Sequence, residues 1–437
     1  MKKMLLSCLL ILALLAACAT ESPSPSVPAE DPSPPPAQTD PSAEEPSPEE
    51  PSPEEVIALP DLTPTAFTLD ETILQNSLVS TGDSYRFARA FAKAAAGEAV
   101  TVAAIGGSIT EGMNASNRAE NCYAAKLVAW MQETFGNSQI TLINAGESGT
   151  PSKLGVMRVQ KQVLDAKPDI VLIEFAVNDG SDTDSNTAYE GLVRKVLNSE
   201  SEPAVALLFT VTETGYSNQP NMQKTGEHYK LPMVSIPDSI YLEIQEGRMA
   251  WDDYSSDDVH PSTEGHAMVG ELLAYCFESV YAQAKDAPGA AYAVPEDTVF
   301  GDRYENIVFV NQTDDTAAEL GSFTGDTNDT RPMWYNGWKR AENGGNDPFV
   351  IEVTAKEVFM VYWATPGYGK PAGGKADVSV NGGDPKTLDA GTSWGSPLHA
   401  SVWKSDGDQA ETVSVSVQMQ AESDANPFWI LGFAYIP

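Results

Sequence analysis

The segment Thr101-Val-Ala-Ala-Ile-Gly-Gly-Ser-Ile-Thr-Glu-Gly112 constrains this chain most, because an aliphatic and β-branched run stops abruptly at two glycines, a serine and a threonine. A strand that is apolar on both faces has to be covered on both sides, so residues 102–105 predict a central strand of a sheet lying between helices. Gly106 and Gly107 then allow a sharp turn and a close approach of backbone to a ligand. Ser108 is left at the carboxyl edge, where open α/β sheets bind their ligands, and is a candidate nucleophile. Taken alone, Gly-Gly-Ser serves equally well as a turn that caps the next helix.

The surrounding periodicities support such a sheet. Helical spacing is predicted from Ser84 to about residue 95, over 120–135 with Tyr123, Leu127, Trp130 and Met131 on one stripe, over 154–166, and over 263–284. Strands are predicted at 139–144, 169–177, 203–211 and 233–236. Strands alternating with helices imply right-handed parallel crossovers, hence a flavodoxin-like α/β sheet with helices on both faces. From about residue 288 the period becomes two, as in Val413-Ser-Val-Ser-Val-Gln-Met419, which predicts a separate all-β sandwich or jelly roll.

The N-terminus divides differently. Lys2 and Lys3 precede a short apolar run that ends Leu15-Ala16-Ala17-Cys18, the pattern of an export signal with a cleavage point. The cysteine after Leu-Ala-Ala resembles the bacterial lipoprotein lipobox, which implies removal of residues 1–17, a diacylglycerol on Cys18, and an outward-facing protein anchored to the bacterial cell membrane by that lipid. Residues 18–59 are Pro, Ser, Glu and Asp with almost nothing to bury, a disordered tether. The chain thus reads as signal 1–17, tether 18–59, catalytic domain 60–287 and β-sandwich 288–437. A formal net charge of −36 argues against a nucleic-acid partner, since phosphate binding needs clustered cations. Cys122 and Cys276 fall on predicted helices and read as buried packing, with a disulfide between them as the alternative.

Four histidines make each one worth weighing. His260 stands in Asp257-Asp-Val-His260-Pro261 at a loop-to-helix junction, and a carboxylate three residues earlier can fold back on Nδ1 and leave Nε2 free to take a proton. Asn144-Ala-Gly-Glu-Ser-Gly-Thr150 and Val177-Asn178-Asp179 end the second and third predicted strands and supply N–H and carboxamide donors at the same edge. The four segments in this order resemble the SGNH (GDSL-type) hydrolases over about 83–284. The resemblance implies Ser108 as nucleophile, Asp257 and His260 as its relay, and Ser108, Gly149 and Asn178 as the oxyanion hole. Gly107 departs from the commoner aspartate before the serine. Glu174 shares strand parity with Asn178, so it either lines the site from below or is a paired buried carboxylate. His228, His266 and His399 lack ligand spacing, so neither a metal nor another cofactor is expected.

The family implies an ester hydrolase. No large apolar lid is evident, which disfavours long-chain lipids. A tethered esterase beside a β-sandwich resembles the carbohydrate esterases that remove acetyl groups from polysaccharides, so an acylated, and specifically an acetylated, polysaccharide is the expected partner. Six of the eight tryptophans lie beyond residue 300, and a sandwich buries most such rings; Trp334, Trp338 and Trp394 stand in turn-rich stretches and are the candidates for contact with sugar. The competing readings are a lysophospholipase or thioesterase, and a glycan-binding surface lipoprotein without activity.

Overall fold

The computed structural model describes residues 58–286, 290–314, 317–327, 335–342, 344–368, 370–407, 409–423 and 425–437. Cys18, the tether up to residue 57, and Trp334 lie outside the described residues.

Six strands, β1 (Leu78–Ser80), β2 (Val100–Gly106), β3 (Ile140–Gly146), β4 (Ile170–Glu174), β5 (Ala204–Phe209) and β6 (Met233–Ser235), form one sheet in the order β1-β6-β5-β4-β2-β3. The five from β2 onward are parallel in flavodoxin order, and β1 adds an antiparallel edge on β6 that the sequence pattern does not reveal. Side chains of β2 alternate between two cores. Val102 and Ala104 face the helices Tyr85–Ala95, Tyr123–Phe135 and Thr263–Asp286, whereas Ala103 and Ile105 face Ser152–Gln162 and Thr183–Leu197. Burial on both sides is the reason the run is continuously apolar. Cys122 and Cys276 are unpaired and fully buried in the first core; burial alone pushes the Cys276 thiol up to about 12.

One difference from expectation shapes the site. Strand β4 ends at Glu174, three residues before the predicted end, because the N–H groups of Asn178 and Asp179 both donate to the Phe175 carbonyl and close a turn.

The remaining strands are β7 (Val308–Val310), β8 (Ala318–Glu319), β9 (Phe323–Asp326), β10 (Gly337–Arg340), β11 (Phe349–Ala355), β12 (Glu357–Pro366), β13 (Lys375–Val380), β14 (Lys386–Asp389), β15 (Gly391–Thr392), β16 (Ser396–Lys404), β17 (Glu411–Met419) and β18 (Trp429–Ile436). A seven-stranded sheet follows β15-β12-β18-β10-β9 with β16 and β7 added, and a five-stranded sheet runs β14-β13-β17-β11-β8. Between them lies a core of alternate residues, including Val358, Met360 and Tyr362 of β12 against Ile351, Val415 and Val417. The intervening residues Phe359 and Val361, with Leu431 and Ala434, turn the other way and share a core with the helices Ser152–Gln162 and Thr183–Leu197. The larger sheet is therefore a common wall of sandwich and hydrolase layer.

Candidate active site

Ser108 follows β2 and opens the short helix Ser108–Glu111. Its Oγ lies 2.8 Å from His260 Nε2, and His260 Nδ1 lies 2.8 Å from Asp257 Oδ2, although serine and histidine are 152 positions apart. With Asp257 ionised, Nδ1–H donates to the carboxylate and Nε2 is left to accept the serine proton. Burial pulls the Asp257 carboxyl upward, but N–H groups of His260 and Val259, the imidazole and the Asn114 carboxamide outweigh it and hold the group well below the usual carboxylate range. Ser255 Oγ donates to the carbonyls of Asp257 and His260 and closes this loop.

Two glycines set the other side. An added Cβ on Gly107 would stand 2.3 Å from Asn178 Oδ1 and 2.9 Å from Nδ2, so the absence of a side chain is what lets the carboxamide lie beside the serine. Gly149 has φ of +73°, the left-handed region, after β3. Its loop is clamped by Glu111, whose carboxylate accepts from both the N–H and the hydroxyl of Ser148 while pairing with Arg118. The structure thus brings Ser108, Asp257, His260, Gly149 and Asn178 to one edge, an arrangement that can attack an acyl carbon, move one proton and hold a developing oxyanion.

Glu174 sits directly below, fully buried. It accepts from Thr110 Oγ1 at 3.0 Å and Thr210 Oγ1 at 2.7 Å, with the N–H groups of Gly107 and Ala176 also directed at it. Burial raises its carboxyl above the ordinary value despite these donors. It braces the serine turn; its partners are hydroxyls and N–H groups rather than a cation. Neither Glu111 nor Asn114, which occupies φ of +68°, carries a sequence signal, because their partners are remote in the chain.

Of the tryptophans expected to meet sugar, Trp338 requires correction: it is 3% exposed, wedged between Phe349 and Phe433. Pairing of Trp338 with Ile430 on β18 turns its ring into the sandwich core. Trp394 is 60% exposed, and a Cβ on Gly149 would lie 3.3 Å from its indole. The β-rich half therefore places an aromatic ring beside the glycine of the hydrolase edge.

Asp179 is a further buried group at this edge. Its Oδ1 accepts the Ser152 N–H at 2.7 Å and ties the Asn178 turn to the helix that follows Gly149; burial pushes the carboxyl up to about 7, against that hydrogen bond. The folded value lies above the unfolded 3.8, so stability associated with this group is complete below pH 4 and is lost as pH rises through about 7. The loss is at most about 4 kcal/mol. Asp179→Asn keeps the acceptor oxygen and removes the charge. Its melting temperature should match the wild type near pH 4 and exceed it by several degrees at pH 8, and equal melting curves at pH 8 would refute the assignment.

A serine, an imidazole and a carboxylate within hydrogen-bond reach at the carboxyl edge of a parallel sheet form an arrangement suited to acyl transfer. The description of the GDSL-like Lipase/Acylhydrolase family matches residues 104–268. A two-domain esterase active on acetylated mannans, co-crystallised with mannopentaose, is 30% identical with a TM-score of 0.72, covering 83% of this chain and 97% of that one. A second structure of a two-domain esterase active on acetylated mannans gives 30% identity and a TM-score of 0.73, covering 83% of this chain and 98% of that one. No curated protein matches the chain. The chain belongs to the GDSL-like, or SGNH, hydrolases and is a carboxylic ester hydrolase of that type.

Proposed function

We propose that this protein is a cell-surface serine esterase that removes acetyl groups from a polysaccharide, with acetylated mannan as the first candidate. The observation that carries the reading is Trp394, an exposed ring supplied by the β-rich half and standing against Gly149. An aromatic face there offers a stacking surface to the sugar that bears the ester. The likeness to a two-domain esterase active on acetylated mannans supports the same substrate class.

In this mechanism Ser108 Oγ attacks the acetyl carbon as His260 Nε2 takes its proton. The N–H groups of Ser108 and Gly149 and the Asn178 carboxamide hold the oxyanion. Collapse breaks the bond to the sugar oxygen, which receives the proton from His260, and leaves acetyl-Ser108. Water then attacks the acetyl carbon, giving its proton to His260, and acetate departs as the serine recovers that proton. Asp257 remains ionised throughout and orients the imidazole. Lipidation at Cys18 would hold the enzyme outside the membrane on the 18–59 tether; loss of fatty-acid labelling in Cys18→Ser tests that placement.

Acetate release from a panel of acetylated glycans, set against hydrolysis of long-chain p-nitrophenyl esters, tests the substrate class. Activity confined to the long-chain esters would sink it. Trp394→Ala should lower kcat/KM on the preferred glycan by about tenfold, roughly 1.4 kcal/mol, with a loss on p-nitrophenyl acetate several times smaller. Equal losses on both substrates would mean that the ring serves the catalytic loop and not the sugar.

A further inference from the structure

We propose a second carbohydrate-binding site on the β-rich half, a cleft of 390 Å³ walled by Trp363 and Trp429, which receives the backbone of the same polysaccharide away from the ester being cut. The proposal rests on the polysaccharide reading of the Ser108 site. Strand parity creates the cleft. Tyr362 and Ile430 pair across β12 and β18 with their side chains in the sandwich core, so the adjacent Trp363 and Trp429 fall on the opposite face of the larger sheet. Nearer the hydrolase layer that face is covered, by way of Phe359, Val361 and Ala434. Farther along, Trp363, still packed against that core on one side, lines an open cleft together with Thr365 and Trp429.

The chemistry suits a sugar chain. Tyr335 meets Trp363 edge-on with ring centroids 5.6 Å apart, which fixes the indole, and the half-exposed Lys339 pairs with Asp326 at 2.9 Å on the rim. A pyranose presents apolar C–H faces and a belt of hydroxyls, matching indole walls with an ionic rim; a lipid chain would leave Lys339 and Asp326 against hydrocarbon. Trp363, on the cleft wall, is also linked to the catalytic edge through its neighbours. A Cβ on Gly395 would lie 3.3 Å from the Trp363 ring, and the preceding residue, Trp394, abuts Gly149. Aromatic surface therefore leads from the oxyanion glycine into the cleft, along a path one polysaccharide chain can follow.

The test uses the full chain carrying Ser108→Ala, so that bound ester persists, in affinity electrophoresis through gels containing mannan, acetylated mannan or xylan. At least one glycan should retard it. Adding Trp429→Ala should weaken the apparent Kd about tenfold, and Trp429→Phe, which keeps a ring, should stay within about threefold. Near-ultraviolet circular dichroism confirms that each variant is folded. Unchanged retardation of folded Trp429→Ala, or no retardation of the parent by any glycan, overturns the proposal. Acetate release from glycans by the wild type is measured separately. If it is absent while Trp429→Ala abolishes retardation, the cleft stands and the acetylesterase reading falls; if it is present while Trp429→Ala binds normally, the reverse holds.

Discussion

Ser108→Ala is expected to lower kcat on p-nitrophenyl acetate by about 10⁶-fold while leaving the melting temperature within a degree or two. The size follows from the relay. Ser108 Oγ is the atom 2.8 Å from His260 Nε2, and among the described residues no other hydroxyl contacts this imidazole. Truncation to alanine keeps the backbone of the Ser108–Glu111 turn, whose N–H and carbonyl contacts do not involve the hydroxyl, so the fold loses about one modest hydrogen bond. His260→Ala should cost nearly as much, and the double variant little more than either alone, because the two groups perform one proton transfer between them. What survives, about 10³ to 10⁴ over water, would be the work of the oxyanion donors. Wild-type turnover by a mass-verified Ser108→Ala sample would remove Ser108 from the mechanism.

The strands of the parallel sheet were legible because apolar residues on both faces of a buried strand leave an unbroken run, as in residues 170–173 and Ala204–Phe209. The helix Thr183–Leu197 was not, and its packing explains why. Its polar residues are buried too: Glu190 accepts the N–H groups of Val299, Phe300 and Gly301, and Arg194 pairs with Glu305. Burying charge against the connecting segment erases the apolar stripe on which helical periodicity depends. The early end of β4 was hidden for the converse reason: Phe175, Ala176 and Val177 are apolar like the strand, and a turn made of backbone hydrogen bonds has no residue signature.

The site shows the same division. The residues assigned to the chemistry sit in short motifs, at strand ends marked by a glycine or in the loop before the last helix marked by an Asp-x-x-His spacing. Residues that position them are visible only in three dimensions, since Glu111 meets Ser148 across 37 positions and Asn114 meets Asp257 across 143. The tryptophans make the point within one residue type. Trp338 and Trp394 both lie in turn-rich sequence, yet strand register buries the first, and the second, two residues before β16, projects to the hydrolase edge.

Gly107→Asp, which restores the commoner residue before the serine, should lower kcat by about 10²- to 10³-fold in this chain. Gly107 has φ of −87°, so an aspartate meets no left-handed strain there. The obstacle is space. Its Cβ would arrive 2.3 Å from Asn178 Oδ1 and 2.7 Å from the carboxamide carbon, and these are the free end of a side chain, which yields more readily than backbone. The expected response is rotation of Asn178 away from the serine with the fold intact, which removes one oxyanion donor and adds a carboxylate near the developing negative charge. The result should resemble Asn178→Ala in kcat, with KM nearly unchanged, because the donor acts on the transition state more than on bound ester. The double variant Gly107→Asp, Asn178→Ala should be no slower than the slower single variant, since the two substitutions disable the same group. Full activity in folded Gly107→Asp would show that the Asn178 carboxamide is not what the missing side chain makes room for.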